Sequence, residues 1–356
     1  MKKYFIKTYG CQMNVSDAER IAGWYESQGW QAAQTIDKAD EIVIVTCSVR
    51  QTAEDRVYGL INNIVKRNTK NVRRQRIVLT GCMLRYPLRW LKTKMPQVDE
   101  FKKISEFTHD SSFNSEGIPH SGLIRNSKTH AFVPIMEGCN QFCSYCVVPS
   151  ARGREKSRLF EEIICEIKEL AKRGYQEITL LGQNVNSYGK DLKKAKNSFV
   201  NLLKEIHQVK GIKKISFLTS NPWDLTEEII EAMKLPKIDR YLHLPVQSGD
   251  DEILKKMNRK YTSKKYLKLL QKIKKQIPEI KIGTDIIVGF PGETEKQFQN
   301  TVDLCQKIGF VKAYVAMYSP RIGTVAFKLK DDVSHQEKKR RWQILDDLIN
   351  KIAKKC

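Results

Sequence analysis

No segment of this chain offers the roughly twenty consecutive apolar residues that a membrane helix needs. The opening Met1-Lys2-Lys3-Tyr4-Phe5-Ile6-Lys7 also breaks its apolar run too soon for a secretory leader. Acidic residues are short in supply, 40 against 63 basic ones, which leaves a net charge of +23. That excess points to a polyanionic partner, RNA or DNA being the natural candidate. A second C-x2-C pair, the usual companion in a structural zinc site, is missing beside Cys143 and Cys146. Nine cysteines without a leader fit the cytoplasm, where thiols stay reduced. With 356 residues and 41% hydrophobic content there is room for two domains, or for one barrel with an addition.

What is present is a run of three cysteines, Cys139, Cys143 and Cys146, spaced C-x3-C-x2-C on one short stretch. Thiolates are soft ligands that suit iron–sulfur clusters. A 4Fe-4S cube has four irons, so three sulfurs leave one iron open to a substrate or cofactor. A zinc site with a distant fourth ligand, or a disulfide, is the structural alternative.

Strands are expected over 4–9, 41–45 and 76–80, with helices over 16–28 and 52–66. Ser16 and Glu19 match a capping box that would open the first helix. This alternation predicts a parallel α/β sheet. Cys11, Cys47 and Cys82 each fall just past the carboxyl end of a strand, where open parallel sheets line their ligand crevice. The three are expected to converge on one site; the alternative is three unrelated buried thiols. Residues 92–122 are less regular, 109–117 reads as a loop, and 119–129 as a linker.

From residue 130 the alternation resumes, with strands expected over 132–136, 177–181, 214–218, 241–244, 281–288 and 312–317. Helices are expected over 159–172, 199–209, 226–233, 266–276, 293–308 and 335–355. Six strands with intervening helices predict an incomplete (βα)6 barrel, whose chemistry belongs at the carboxyl ends of its strands. The three-cysteine run follows the first of them. Later strand ends carry Gln183 and Asn184, Gln247, and Gly289, any of which would serve a ligand or simply make a turn. Arg152 and Arg154 follow the cysteine run and would bind phosphate or face solvent. His243 is expected to be a packed or barrel-lining histidine, and Cys165 and Cys305 core thiols.

The strings Thr8-Tyr9-Gly10-Cys11-Gln12-Met13-Asn14, Thr46-Cys47-Ser48-Val49-Arg50 and Gly81-Cys82-Met83, together with the three-cysteine loop, Arg152-Gly153-Arg154-Glu155 and Leu181-Gly182-Gln183-Asn184, resemble the radical S-adenosylmethionine (SAM) methylthiotransferases nearly end to end. The resemblance is strongest to the tRNA branch. It implies domains over 1–118 and 130–356 joined by 119–129. It implies that Cys139, Cys143 and Cys146 hold a SAM-binding 4Fe-4S cluster and that Cys11, Cys47 and Cys82 hold an auxiliary one. SAM contacts are expected from Tyr145, Gln183, Asn184, Gln247 and Gly289, and substrate contacts from Gln12, Asn14, Arg152 and Arg154. The implied reaction is methylthiolation of C2 of a prenylated adenosine beside the tRNA anticodon, using two SAM. No acid–base residue is expected, because an aromatic C2–H is too inert for a side-chain base. A threonylcarbamoyl-adenosine tRNA or ribosomal protein S12 is the alternative target, and an RNA-binding iron–sulfur protein without turnover the alternative class. A flavodoxin or ferredoxin, a sulfur donor and a monomeric state are further expectations. The chain departs from the family's usual residues at Val45, Ser150, Ala151, Asn221 and Asp250, and its end at Cys356 leaves no room for the family's C-terminal TRAM domain.

Overall fold

A computed structural model describes residues 1–68, 74–107, 125, 127–193 and 198–351. The first sheet has five strands: β1 (Lys3–Thr8), β2 (Gln31–Ala32), β3 (Glu41–Thr46), β4 (Arg76–Gly81) and β5 (Glu100–Phe101), in the order β2-β1-β3-β4-β5. All its pairings are parallel. Every residue of the central β3 is buried, as its run Ile42-Val43-Ile44-Val45 requires of a strand covered on both faces. Ile42 and Ile44 pack with Val57, Ile61 and Ile64 of helix α2 (Gln51–Asn68). Val43 and Val45 pack on the other face with Ile21 and Tyr25 of α1 (Gln12–Ser27).

Helix α1 starts at Gln12, with Cys11 as its N-cap, and not at a Ser16 capping box. Ser16 lies buried inside the helix, and buried Glu19 comes within 3.8 Å of Arg125. The strand–turn geometry at Gly10 and Cys11 supplies the start, so the capping pattern is coincidental. Two short helices, α3 (Leu88–Lys94) and α4 (Ile104–Phe107), follow β4 and β5.

The second body carries β6 (His130–Pro134), a short antiparallel pair β7 (Met136–Glu137) with β8 (Lys156–Ser157), then β9 (Glu177–Leu181), β10 (Lys214–Phe217), β11 (Tyr241–His243), β12 (Lys281–Val288) and β13 (Lys312–Met317). The long strands form two parallel triplets, β6-β9-β10 and β11-β12-β13, joined at Ile215 and Ile238 by one parallel bridge. Among the described residues β6 and β13 do not pair, so the barrel stays open on that flank. Helices α5 (Val148–Arg152), α6 (Phe160–Lys172), α7 (Phe199–Gln208), α8 (Glu227–Met233), α9 (Asp251–Lys256), α10 (Ser263–Gln276), α11 (Glu295–Ile308) and α12 (His335–Asp346) complete it. One core joins strand residues such as Val133, Leu180, Ile215, Leu242 and Ile286 to Ile163, Leu203, Ile230, Leu270 and Phe298 on the helices.

The first barrel strand ends earlier than expected, at Pro134, and Met136 turns off into the β7–β8 pair. The last helix gives way to a π turn over Asp347–Lys351. His243 is buried, with Nε2 3.1 Å from Asp285 Oδ2. The expected loop over 109–117, most of the expected linker and Cys356 lie outside the described residues. No helix among those described is long and apolar enough to cross a membrane.

Candidate functional site

Two groups of three thiols stand out, one past strands of the first sheet and one past β6 and β7 of the second body. The first group sits past β1, β3 and β4. Gly10, at φ 118°, lets Cys11 leave β1 against the Cys47 loop: a Cβ there would lie 2.7 Å from Cys47 Cβ and 3.2 Å from its sulfur. Gly81, at φ 90°, allows the same closeness on the other side, since a Cβ would meet Thr46 O at 2.6 Å. Side chains then tie the three loops together. Asn14 Nδ2 donates to Tyr9 O at 2.6 Å and to Thr46 O at 2.9 Å. Thr46 Oγ1 donates to Thr80 O at 2.6 Å and accepts from Met83 N at 3.0 Å. Cys11 is exposed, whereas Cys47 and Cys82 are buried.

Burial pushes the Cys82 thiol up to about 11; the Arg152 guanidinium opposes that shift, and the sulfurs of Cys47 and Cys11 add to it. Cys47 is raised first by burial, and Cys11 again contributes. The three thiols thus lie in one another's field. Among the described residues no group of three His, Cys, Asp or Glu side chains is placed to hold a single metal ion. A cube, in which each sulfur meets its own iron, asks for wider spacing than one ion does.

The second group lies between β7 and α5. Cys139 N donates to Gly153 O at 3.1 Å and Cys146 N to Cys143 O at 3.0 Å, closing the loop on itself. Gly138, at φ 75°, lets the 153–154 backbone lie against it: a Cβ would fall 2.0 Å from Arg154 O. Burial lifts Cys139 to about 11 and Cys146 to about 12, with neighbouring thiols adding to both. Arg259 Nη1 donates to Cys143 Sγ at 3.5 Å, its guanidinium 4.8 Å from the Trp223 ring centre and 5.2 Å from that of Tyr261. Soft, half-buried sulfurs with a cation on one of them suit a cluster of thiolate-bound irons.

The other expected residues divide into distinct environments. Gln183 Oε1 accepts from Gly138 N at 2.9 Å and so supports the cysteine loop. Asn184 is buried and donates to Asp224 at 3.0 Å, leaving its Oδ1 without a partner; buried Ser220 Oγ, at the end of β10, is likewise unpartnered. Unmatched buried polar atoms at strand ends are what a polar cofactor would satisfy. Gln247 has φ 67° and donates its N–H to Asp285 O at 2.8 Å. Gly289 donates to Glu293 at 2.6 Å and abuts Lys338, whose Cγ would lie 2.3 Å from an added Cβ. Tyr145 packs on Ile253, Met257, Phe290 and Tyr318. Gln12 is exposed; Arg154 stands 5.2 Å from the ring centre of exposed Phe142. Arg152 is buried and donates to Asn14 Oδ1 at 2.7 Å and to Asp17 Oδ2 at 2.6 Å. It therefore spans from the second thiol loop to the first. Arg259 and Arg321 were not singled out by sequence, and no local spacing marks them.

Residues 133–305 match the radical SAM superfamily model, and residues 3–102 match a model described as uncharacterized protein family UPF0004. The chain is 43% identical to the tRNA-2-methylthio-N(6)-dimethylallyladenosine synthase of Thermoanaerobacter sp. (strain X514), covering 98% of this chain and 78% of that one. It is 44% identical to the synthase of that name from Caldicellulosiruptor saccharolyticus, covering 99% of this chain and 79% of that one. The chain belongs to the tRNA-2-methylthio-N(6)-dimethylallyladenosine synthase family. Outside this synthase family the fold is shared with the radical SAM methyltransferase TsrM from Kitasatospora setae, at TM-score 0.60 and 14% identity, covering 89% of this chain and 73% of that one. It is shared too with the cobalamin-dependent radical SAM enzyme OxsB, at TM-score 0.57 and 10% identity, covering 100% of this chain and 56% of that one. At 100% coverage of this chain, the OxsB likeness takes in the first sheet as well as the barrel.

Proposed function

We propose that this chain methylthiolates C2 of N6-dimethylallyl (isopentenyl) adenosine beside the tRNA anticodon, consuming two SAM. The observation that carries the reading is the pair of three-thiol groups, one past the first sheet and one past β7, with Arg152 reaching from the second loop to Asn14 and Asp17 beside the first. Cys139, Cys143 and Cys146 would hold the SAM-binding 4Fe-4S cluster, and Cys11, Cys47 and Cys82 the auxiliary one. When bound, SAM and the clusters would supply an electron, a radical that takes the inert C2 hydrogen, and the methylthio group.

The chain's own residues bind, orient and exclude water. Cys82, Cys139 and Cys146, whose thiols burial raises, would each give up a proton to bind iron. Arg259 donates to Cys143 Sγ, and Arg152 favours the charged form of Cys82. Asn184 Oδ1 and Ser220 Oγ offer unmatched polar atoms for SAM, alongside Tyr145, Gln183, Gln247 and Gly289. Gln12 and Arg154, exposed, face substrate. The net charge of +23 supports a phosphate-rich partner. An anticodon loop suits the site, because its bases splay out for insertion. Domains over 1–118 and 130–356 divide the labour, with 119–129 between them. A flavodoxin or ferredoxin would deliver electrons to a cytoplasmic monomer, and a separate donor would restore sulfur.

The test is nucleoside mass spectrometry of prenylated tRNA given the chain, SAM, a reductant and sulfide. A gain of one methylthio group is expected, and is lost in C146A and in C82A. Methylthiolation of ribosomal protein S12 with none on tRNA would overturn the assignment.

A further inference from the structure

Three buried arginines cross between the barrel side and the first sheet. Arg125 donates to Glu166 at 2.6 Å and comes within 3.8 Å of Glu19. Arg152 ends on Asn14 and Asp17. Arg321 donates to Ser48 O at 2.8 Å and to Gln51 Oε1 at 2.5 Å, and pairs with Glu54. Their side chains are 3%, 7% and 4% exposed, so each is committed to its partners.

Two of the three end beside the first thiol group, Arg152 on the start of α1 after Cys11 and Arg321 on Ser48 after Cys47 and the start of α2. Arg152 grips the Oδ1 end of Asn14, whose Nδ2 end ties the Tyr9 carbonyl before Cys11 to the Thr46 carbonyl before Cys47. Its helix α5 also packs on the turn Cys82–Arg85. Arg321 holds Ser48, the residue after Cys47. Arg85, three positions after Cys82, donates to Ser48 Oγ at 2.7 Å and back across to Ile322 O at 2.5 Å. Every loop of the group is thus fastened from the barrel side. Arg125 meets α1 at Glu19, past the Asn14 that ties these loops together.

We propose that Arg152 and Arg321 are positioning residues that complete the auxiliary cluster site from the barrel side, so that Cys11, Cys47 and Cys82 reach cluster-holding register only while both arginines are in place. A guanidinium suits this task because its rigid planar fork holds two acceptors in a fixed geometry, whereas a lysine offers rotatable donors on a flexible stem. Outer-shell partners of metal ligands act in this way, orienting a ligand they do not replace. The inference rests on the two-cluster reading.

The test uses the full chain with C139A, C143A and C146A, so that iron can enter only at the first group. After anaerobic reconstitution this parent should hold about four irons. Adding R152K or R321K should lower retained iron about 10-fold or more, with loss of the reduced cluster's electron paramagnetic resonance signal. Adding R125K should lower the melting temperature yet leave iron unchanged. Should a lysine variant fail to fold, Q51A loosens one arm of Arg321 at an exposed position and should lose part of the iron. Full iron in R152K, R321K and Q51A overturns the proposal. Equal iron loss in R125K also overturns it, by showing general loosening. A parent without iron removes the two-cluster reading itself, and this inference with it.

Discussion

Gly10→Ala is the sharpest probe of how the first thiol group is built. The added methyl carbon would sit 2.7 Å from Cys47 Cβ and 2.8 Å from Asn14 Nδ2. Carbon atoms in contact prefer about 3.5–4.0 Å, so the Cys47 loop must yield by nearly an ångström. Two terms add. Holding a non-glycine residue at φ 118° costs about 1–3 kcal/mol. Overpacking a well-filled site costs about 1–3 kcal/mol more. The sum, about 2–6 kcal/mol, is a large share of the ~5–15 kcal/mol that keeps a domain folded. Gly29→Ala is the control. Gly29 has φ 77° and nothing within 4 Å of its would-be Cβ, so it bears only the backbone term, about 1–2 kcal/mol. Denaturant unfolding gives the first comparison, and iron with sulfide after reconstitution the second. G10A should drop from about eight irons to about four, while G29A keeps about eight. Equal stability loss and equal iron in the two variants would refute the close-packed view of this group.

Further outcomes follow from the same geometry. Burial holds Cys82, Cys139 and Cys146 protonated, with pKa values near 11, 11 and 12, above the ordinary thiol value of about 8.5. These neutral thiols stabilise the iron-free fold below that ordinary value, and the contribution fades as pH climbs through 11 to 12. Iron must displace their protons, so apparent iron affinity should rise between about pH 7 and pH 9, and a flat titration would contradict this. Arg259→Gln removes the cation 3.5 Å from Cys143 Sγ and should make that cluster's reduction potential more negative, read by redox titration; an unmoved potential would count against the contact. Arg341→Ala strips the partner from Glu293, the two side chains being 5% and 1% exposed, and should destabilise the chain by about 3–5 kcal/mol in denaturant unfolding. A loss well under about 1 kcal/mol would mean that water reaches the carboxylate.

Much of the layout was legible before the structure. The strands over 177–181, 281–288 and 312–317 were readable to the residue because each is a mainly apolar run, the first two stopped by Gly182 and Gly289. The three cysteines past β1, β3 and β4 were readable from the same punctuation. The two-residue strands β2 and β5 were not, since so short an edge carries no alternation to detect. The start of α1 was misplaced because Ser16 and Glu19 copy a cap pattern while the backbone at Cys11 does the capping. Arg321 and Glu54 stand 267 positions apart, and only the folded chain brings them together. Arg152 drew notice for its nearness to the cysteine loop, but nothing local announces Asn14 and Asp17 as its partners.

Among the described residues the flank between β6 and β13 is unpaired but not bare. Asn350 exchanges hydrogen bonds with the N–H and carbonyl of Ala313, Trp342 Nε1 donates to Val315 O, and Arg125 Nη1 donates to Phe132 O. Side chains thus occupy backbone groups that a further strand would need, which guards the two edges against pairing with another chain.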